Sequence, residues 1–561
     1  MITAAMTLDE ALREVATRYP EREALVCGDD RFTYAGVVTR AGALAGGLHR
    51  LGIRKGDRVA SLLAPGWHFV VLFFALARLG AVAVPLNPSL RRRQLAKILR
   101  DVQPAALVTG EPDTTEWSAI QEAAEGTSPV QHHIVVAGGG STDLTFDSLL
   151  GGEPLDAGSL SPVIPDDLAV ILYTSGTTGE PKGVMHSHRG LIGPVVASLR
   201  LRRMWLQAPS PDRLARMSRL VARYGLRLLQ AAGRPQTFLT AIGGHAIAGV
   251  EVMLQALLMG DRLILMPRFH PVETLDWIQR ERVTVLVAVP LALSVLVKMQ
   301  DLDRFDLSSL LICGTGSAPC SAELARQVQE RFGCAIHIGY GTTEIGGGIS
   351  ATSVEDSPRR QAETVGRAME GMQVRIVDEQ RRPLPPGQVG ELACRSESRM
   401  LGYYGSPELT REVLSDDGWY YTGDLAIMDE QGFIRIVGRK KDLIIRGGQN
   451  IYPAEIEQFL QAQEEIQEAA VVGVPGGTGG ERVWAFVVPK EGAKIGEREV
   501  LNYCRGALEA YKIPDKVCLV SDLPRSALGK VQKAELRGRA LGEAQPHDDE
   551  RPHSADEGGR P

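Results

Sequence analysis

A loop dense in glycine and hydroxyl side chains follows an apolar run, and residues 173–183 read Tyr-Thr-Ser-Gly-Thr-Thr-Gly-Glu-Pro-Lys-Gly. The run 168–173 predicts a buried strand that ends at this loop. Glycine allows close backbone approach to an anion, and hydroxyl and lysine groups supply donors and charge. Pro181 stands where a Walker loop needs a glycine before its lysine, which excludes that kind of phosphate site. A surface turn is the alternative for a short glycine motif, but the ordered set of donors favours a polyphosphate site formed by Thr174, Ser175, Gly176, Thr177, Thr178, Gly179 and Lys182.

The size and charge of the chain limit the kinds of protein to which it can belong. At 561 residues it is long enough for a large core and more than one domain. A net charge of -6 gives no basic field, which argues against nucleic acid as a partner. Seven scattered cysteines lack metal-ligand spacing and suit reduced thiols in a cytosol. With no signal-peptide pattern, and with the most apolar stretch, 69–85, broken by Arg78, we predict a soluble, cytoplasmic protein.

Strand-like and helix-like patterns alternate along most of the chain. Buried strands are predicted at 58–63, 105–108, 263–266 and 284–289, with helical stretches between them. Short strands and Pro/Gly turns between 374 and 425 predict a small β-rich subdomain. The expected fold is therefore α/β, with a large N-terminal domain of layered α/β sheets, the β-rich subdomain, and a small mobile α+β C-terminal domain.

The polar, glycine-led segment 438–442 predicts the domain boundary. The N-terminal domain is placed at 1–437, the hinge at 438–442 and the C-terminal domain at 443–542, where a helix at 453–462 and a strand at 483–488 are predicted. The tail 543–561 is rich in His, Asp, Glu, Pro and Gly and is predicted to be disordered.

A basic amphipathic helix is predicted within 199–234. Arginines recur there on one face, opposite an apolar face of Leu214, Met217, Leu220, Val221, Tyr224 and Leu228. A surface helix with solvated arginines is the favoured interpretation. Contact with acidic lipid at a membrane, or with a phosphorylated ligand, stays open.

Three further segments place charged groups where nucleotide chemistry can use them. Glu344 ends Gly339-Tyr-Gly-Thr-Thr-Glu344, where it can hold magnesium or simply lie near a helix start. Asp424 follows a tight turn, where it can accept two hydroxyl groups or remain solvated. Lys530 follows a glycine in Pro524-Arg-Ser-Ala-Leu-Gly-Lys530, as a mobile cation or a plain surface lysine.

These segments, in this order, resemble the signatures of the adenylate-forming superfamily over roughly residues 7–540. The superfamily comprises acyl-CoA and aryl-CoA ligases, luciferases and the adenylation domains of peptide synthetases. The resemblance implies an AMP-forming acid-thiol ligase that uses ATP, Mg²⁺ and coenzyme A. The enzyme would form an acyl-AMP from a carboxylic acid, then the acyl-CoA thioester, releasing pyrophosphate and AMP.

The resemblance also assigns residues to roles. Lys530 would be the catalytic lysine and a target of acetylation, Thr343 would contact the α-phosphate region, and Lys441 would be the hinge. Glu344 and Thr174 would ligate magnesium, and Asp424 and Arg439 would bind the ribose. The remaining implied nucleotide contacts are Gly316, Ser317, Ala318, Tyr340, Gly341 and Thr342. A loop with Gly447 and Gly448 would line the pantetheine tunnel after the small domain rotates.

The acid is the least determined part of the prediction. Gly346–Gly348, with Ile338 and Ala246, predicts an apolar pocket for a medium-chain or longer fatty acid, with an alicyclic or aromatic acid close behind. The segment 241–245 departs from the superfamily pattern, and His245 is either a pocket residue or a core histidine. A stand-alone enzyme that loads a carrier protein, a non-catalytic nucleotide-binding scaffold and a homodimer also stay open.

Overall fold

The computed structural model describes residues 2–90, 92–110, 130–136, 144–151, 160–175, 181–206, 211–231, 233–476, 480–525 and 529–544. The chain forms two compact units. The larger comprises Met1–Thr422 and Ala426–Ile436, and the smaller comprises Gly423–Leu425 and the chain from Val437 onward. The domain limits and the hinge derived from sequence stay predictions, and residues 545–561 of the predicted tail lie outside the described residues.

Strands of the described residues are numbered here in chain order. Those before the smaller unit's main segment are β1 (Glu23–Cys27), β2 (Asp30–Thr33), β3 (Arg58–Leu62), β4 (Val82–Pro85), β5 (Ala106–Thr109), β6 (His132–Val135), β7 (Leu144–Thr145), β8 (Leu168–Ser175), β9 (Pro181–Ser187), β10 (Thr237–Thr240), β11 (Arg262–Leu265), β12 (Val285–Val287), β13 (Ile312–Thr315), β14 (Ala335–Thr342), β15 (Gly347–Ala351), β16 (Arg367–Ala368), β17 (Gln373–Val377), β18 (Gly390–Arg395), β19 (Gly402–Tyr403), β20 (Tyr420–Met428) and β21 (Ile434–Arg439). The last five are β22 (Ile444–Arg446), β23 (Gln449–Ile451), β24 (Ile466–Pro475), β25 (Glu481–Pro489) and β26 (Lys516–Leu519).

Helices separate most of these strands. The α-helices are Leu8–Arg18, Tyr34–Arg50, Trp67–Leu79, Arg92–Val102, Phe146–Leu150, His188–Leu206, Pro211–Tyr224, Arg227–Ala231, Ile247–Leu258, Pro271–Glu281, Pro290–Val297, Ala322–Phe332, Pro358–Glu363, Pro407–Val413, Pro453–Gln461, Glu497–Ala507 and Lys533–Ala544. Short 3-10 helices are Leu302–Arg304, Thr343–Ile345, Lys440–Asp442 and Ala510–Lys512.

The larger unit is built around two large β-sheets. One has nine strands in the order β16-β15-β14-β13-β12-β10-β11-β1-β2, and the other has eight in the order β19-β9-β8-β4-β3-β5-β6-β7. Strands β10 to β14 pair in parallel, as do β3, β4, β5 and β8. A four-stranded sheet, β17-β18-β20-β21, accounts for the predicted β-rich region. The α/β architecture predicted from sequence is thereby confirmed.

The most apolar stretch of the chain forms a core helix. Trp67–Leu79 is apolar on all sides, and ten of its thirteen residues are buried between neighbouring elements. It ends at Gly80, whose left-handed backbone (φ 68°) suits a residue without a side chain. Within the described ranges, no helix has both the length and the apolar composition that a membrane span requires.

Predicted strand positions agree with the observed ones to within a few residues. The strands expected at 58–63, 105–108, 263–266 and 284–289 are β3, β5, β11 and β12. In the smaller unit, the expected helix and strand are Pro453–Gln461 and β25. Apolar runs flanked by turn residues thus located buried strands well, because parallel strands covered on both faces are apolar throughout.

The arginine-rich segment differs from the single amphipathic helix that was predicted. The helix ends at Tyr224, because Gly225 adopts a left-handed conformation (φ 71°), and a second short helix follows. Leu220 is buried, but Leu214 is 53% exposed, so the expected apolar face is only partly covered. Arg223 and Arg227 donate hydrogen bonds to carbonyl oxygens of the body of the larger unit, at Asp356, Ser308 and Gly333. These contacts agree with a helix packed on the body of the unit, but they correct the expectation that its arginines are solvated, since Arg223 and Arg227 bind backbone carbonyl groups.

Arg202 from the same segment forms a buried ion pair, and its loss is expected to destabilise the fold. It donates to both carboxylate oxygens of Asp261 at 3.0 and 3.1 Å, and Asp261 is 1% exposed. Burial raises the pKa of Asp261 to about 6, against the lowering effect of Arg202. We expect Arg202→Met to lower the free energy of unfolding by about 3 kcal/mol, because a buried charge loses its partner. Urea unfolding measures this change.

The adjacent, exposed Arg203 offers a matched control. Arg203→Met is expected to change the unfolding free energy by no more than about 0.5 kcal/mol, as is usual for an exposed side chain. Equal effects of the two substitutions would contradict the structural role given to Arg202.

Candidate active site

The glycine-threonine loop connects two antiparallel strands that form a β-hairpin. β8 leads into the loop and β9 leads out of it, with Thr174 opposite Lys182 and Ser175 opposite Pro181. The predicted site residues Gly176, Thr177, Thr178 and Gly179 lie outside the described residues. Thr174 and Lys182 therefore mark the two stems of the loop. Gly183 follows, and a Cβ there would lie 2.9 Å from Ile171, so only glycine fits.

Lys182, Tyr403 and Glu344 form a compact cluster beside the loop stem. The Lys182 Nζ lies 5.2 Å from the centroid of the Tyr403 ring. The Tyr403 hydroxyl donates a hydrogen bond of 2.9 Å to the Glu344 carboxylate. Tyr403 reaches this position because β19 pairs with β9, where Tyr403 is opposite Val184. One tyrosine thus contacts a cation through its ring and a carboxylate through its hydroxyl.

The backbone around Glu344 is fixed by a buried histidine. Thr343–Ile345 forms a single 3-10 turn that ends at Gly346 (φ 73°). His186, on β9, is fully buried and its Nε2 donates a hydrogen bond of 2.6 Å to the Thr343 carbonyl oxygen. Burial lowers the pKa of His186 to about 4. The neutral imidazole therefore supports the turn that carries Thr343 and Glu344.

This burial predicts a specific pH dependence of stability. Unfolded histidine takes up a proton near pH 6.5, whereas folded His186 stays neutral until about pH 4. The unfolded chain thus binds more protons between these values, so the unfolding free energy is complete above pH 6.5 and falls as the pH drops toward 4. At about 1.4 kcal/mol per pH unit, the loss from His186 is about 3 kcal/mol.

We expect His186→Gln to flatten this decline, because the amide can still donate to Thr343 but does not titrate. Urea unfolding of both proteins at intervals from pH 4 to 7 measures the two slopes. His188 remains in both proteins, and burial lowers its pKa to about 4 as well, so part of the decline persists. Parallel slopes in the two proteins would refute the assignment.

The implied nucleotide contacts Gly316, Ser317 and Ala318 lie just past the carboxyl end of β13. Gly316 is packed so closely that a Cβ would lie 2.8 Å from the Gly339 carbonyl oxygen. Ser317 has a left-handed backbone (φ 65°), an uncommon state for a residue with a side chain. The buried Thr315 hydroxyl has no hydrogen-bond partner within the described part of the chain. Carboxyl ends of parallel strands are frequent ligand sites in α/β folds, and these features suit a nucleotide base there.

Tyr340 and Gly341 occupy the end of the neighbouring strand, β14. Tyr340 is opposite Ser350 on β15, and the register shifts between Tyr340 and Gly341. A Cβ on Gly341 would lie 1.9 Å from the Gly347 carbonyl oxygen, so the strands approach too closely for a side chain. The larger unit thereby brings its predicted site residues from β13 and β14 to adjacent strand ends.

The smaller unit holds the predicted ribose ligands together. Asp424 is buried and pairs with Arg439, whose Nε lies 3.0 Å from its Oδ1. Lys441 lies two residues on, in the 3-10 turn Lys440–Asp442. Gly447 and Gly448, both with positive φ, form the tight turn between β22 and β23.

Lys530 is exposed and follows a glycine whose carbonyl group is held. Gly529 has φ 77°, and its carbonyl oxygen accepts a 2.9 Å hydrogen bond from Arg525. Arg525 also pairs with Glu468 on β24. The residue before Lys530 is thus anchored to the sheet of the smaller unit, while the lysine side chain extends outward.

The acid pocket predicted from sequence is partly apolar in the structure. Ile338 and Ala246 are buried, and the ring of Phe69 fills the space that a side chain on Gly244 would take. His245 is half-buried, and burial lowers its pKa. Its Nδ1 has no hydrogen-bond partner in the described ranges.

The residues of this site suit a magnesium ion that takes most of its ligands from a bound nucleotide and water. Across the described residues, no group of three or more His, Cys, Asp or Glu side chains forms a metal site. Mg²⁺ commonly takes one or two carboxylates and completes its shell with phosphate and water. Glu344, positioned by Tyr403, suits that arrangement, and Thr174 stands at the nearby loop stem.

Three residues of this region were not predicted from sequence. Tyr403, His186 and Arg525 each contact a predicted residue or its immediate neighbour. His186 and Arg525 do lie within or beside the motifs, but polar residues in strands and loops are common. Tyr403 lies 59 residues from Glu344, and tertiary contacts bring them together: the pairing of β19 with β9 and a backbone hydrogen bond from Met400 to the Glu344 carbonyl oxygen.

Comparisons with known proteins cover almost the whole chain. A sequence model of the family described as AMP-binding enzyme matches residues 12–404, and that of the AMP-binding enzyme C-terminal domain matches 455–530. The chain is 32% identical to the human medium-chain acyl-CoA ligase ACSF2, mitochondrial, over 95% of its length and 87% of that protein.

Solved structures agree with this result. ATP-bound MatB from Rhodopseudomonas palustris superposes with a TM-score of 0.81 at 31% identity, covering 96% of this chain and 100% of that one. The anthranilate CoA ligase AuaEII in complex with anthranoyl-AMP superposes with a TM-score of 0.82 at 25% identity, covering 97% and 99%.

Proposed function

The chain belongs to the AMP-binding enzyme family, in the acyl-CoA synthetase and ligase branch, and on this premise we propose that it is an ATP-dependent carboxylic acid:CoA ligase. The proposed reaction has two steps. The acid attacks ATP to form an acyl-AMP and pyrophosphate, and the thiol of coenzyme A then takes the acyl group and releases AMP.

The cluster of Lys182, Tyr403 and Glu344 at the loop stem is the observation that carries this proposal. Attack of a carboxylate on a phosphate accumulates negative charge, which cations and a bound metal must stabilise. Mg²⁺ held by Glu344 would supply that charge at the phosphate oxygens. Lys182 adds a second positive charge, and Tyr403 contacts both Lys182, through its ring, and Glu344, through its hydroxyl.

The remaining proposed roles fall on residues of the smaller unit, except that of Thr343, which belongs to the larger unit. Lys530 is the proposed catalytic lysine of the first step, and Thr343 the proposed contact to the α-phosphate. Asp424 and Arg439 form a charge pair suited to ribose hydroxyl groups. Lys441 is the proposed hinge, and the Gly447–Gly448 turn the proposed wall of the pantetheine tunnel.

For the acid, we propose a medium-chain or longer fatty acid. The name of the human relative, a medium-chain acyl-CoA ligase, supports this choice, as does the apolar surrounding of Ile338 and Ala246. The anthranilate ligase among the similar structures supports an aromatic acid as the second candidate. A carrier-protein thiol in place of coenzyme A is the alternative acceptor.

Pyrophosphate release across fatty, alicyclic and aromatic acids, with and without coenzyme A, tests the proposal. We expect release that requires an acid, and a thioester that appears only with coenzyme A. Release without any thioester, in the presence of coenzyme A, would favour a carrier-protein acceptor. No release with any acid by a protein that still binds ATP would favour the nucleotide-binding scaffold.

A further inference from the structure

A carboxylate lies against the glycine segment that follows Glu344. Glu251 is on the helix Ile247–Leu258, which packs on β15. A Cβ built on Gly347 would lie 2.6 Å from Glu251 Oε2, and one on Gly348 would lie 3.7 Å from Oε1. At Gly347 the space left by the missing side chain is therefore occupied by the Glu251 carboxylate, whereas at Gly348 the nearest atom is the Met369 Sδ, 2.5 Å from the built Cβ.

This carboxylate keeps unused hydrogen-bonding capacity. It accepts a hydrogen bond from the backbone N–H of Gly348. An ionised carboxylate can accept about four hydrogen bonds, so one donor leaves most of its capacity free. No Lys, Arg or His of the described residues forms an ion pair with Glu251. Burial raises the pKa of Glu251 to about 7, as expected for a carboxyl group with one backbone donor and no cation beside it.

The position of Glu251 contrasts with the apolar pocket predicted from the same segment. Gly347 and Gly348 belong to the predicted acid pocket, and Ala246 is the residue that begins the helix of Glu251. Glu251 is half-buried as a residue, and burial of its carboxyl group is the largest influence on its pKa. A purely apolar acid packed there would leave the free acceptor sites of the carboxylate without a donor, which is unfavourable.

We infer that Glu251 is a specificity-determining residue, and that it selects acids carrying a hydroxyl or amino group on the chain or ring. The inference rests on the proposed function, because it concerns the acid of that reaction. A hydroxyl or ammonium group donates to the free carboxylate oxygens. Sites with a buried polar group discriminate strongly against analogues that lack the matching group.

Pairs of acids that differ in one donor test this inference directly. Octanoate is compared with ω-hydroxyoctanoate and ω-aminooctanoate, and benzoate with 4-hydroxybenzoate and 4-aminobenzoate. For each pair, kcat/KM of pyrophosphate release is measured in the wild type, Glu251→Gln and Glu251→Leu. We expect the wild type to prefer the donor-bearing acid of at least one pair by about tenfold or more.

The two variants separate selection from support of the fold. Glu251→Leu is expected to reverse the preference and raise kcat/KM for the plain acid. Glu251→Gln keeps an oxygen that accepts from Gly348, so it is expected to retain the preference for hydroxyl and to lose that for ammonium. Thermal unfolding checks that both variants fold, and the nearly isosteric Gln variant serves if the Leu variant does not.

The experiment distinguishes failure of this inference from failure of the proposed function. Pyrophosphate release with the same donor preference in all three proteins overturns the role of Glu251 and leaves the ligase reaction standing. Equal loss of activity on both acids of every pair assigns Glu251 to support of β15 alone. No release with any acid removes the proposed function and the inference together.

Discussion

Lys530→Ala is expected to lower acid-dependent pyrophosphate release by about a thousandfold. The first step brings two anions together, and removal of one group that stabilises charge in a transition state costs about 10² to 10³ in rate. Lys530 is exposed, and its neighbour Gly529 is fixed by the hydrogen bond from Arg525. The lysine therefore combines an exposed charge with a backbone neighbour that is held in place. ATP–pyrophosphate exchange with the best acid of the panel measures the loss.

The second step supplies the internal control for Lys530. Thioester formation from a synthetic acyl-AMP and coenzyme A is expected to keep its rate within about threefold, because pyrophosphate has already left. Lys494→Ala, at another exposed lysine of the smaller unit, is expected to leave both steps unchanged. A similar loss in both steps, or a loss below tenfold in the first, would contradict the role of Lys530.

Glu344→Gln is expected to lower pyrophosphate release by a hundredfold or more and to raise the Mg²⁺ concentration needed for half-maximal rate. The substitution keeps the size of the side chain and an oxygen for the Tyr403 hydroxyl, but it removes the charge that a hard cation prefers. Initial rates over a Mg²⁺ series, at saturating ATP and acid, measure both quantities.

Tyr403→Phe is the matched control for Glu344. It keeps the ring beside Lys182 and removes only the hydrogen bond to Glu344, so a loss of about tenfold is expected, with a smaller change in Mg²⁺ requirement. A Glu344→Gln protein with reduced rate but unchanged Mg²⁺ dependence would exclude Glu344 as the metal ligand.

Local patterns in the sequence predicted the layered fold and the segments that approach the nucleotide. A buried parallel strand is apolar on both faces, so β3, β5 and β11 can be recognised from short runs. The glycines at 316 and 341 are required by close packing, because a Cβ there would lie 2.8 and 1.9 Å from a backbone carbonyl oxygen. These signals depend on a few neighbouring residues.

Contacts between segments that are far apart in the sequence could not be predicted from its local patterns. Tyr403 contacts Glu344 from the two-residue strand β19, which is too short to recognise by alternation. Glu251 was missed for a related reason, since a glutamate on a helix is usually solvated and its contact with Gly347 depends on tertiary packing. The amphipathic pattern at 211–231 was extended too far, because Gly225 ends the first helix while the spacing of apolar residues continues past it.

The proposed phosphate contacts and the proposed acid contact lie on different elements of the larger unit. The phosphate-side groups Lys182 and Glu344 are braced through β9 and β19, whereas Glu251 and the glycines beside it belong to another helix and to β15. If the proposed function holds, a mutant library confined to the helix Ile247–Leu258 is expected to change the acid accepted more than the affinity for ATP. Variants with altered acid preference could then be sought in this helix without changing the residues at the loop stem.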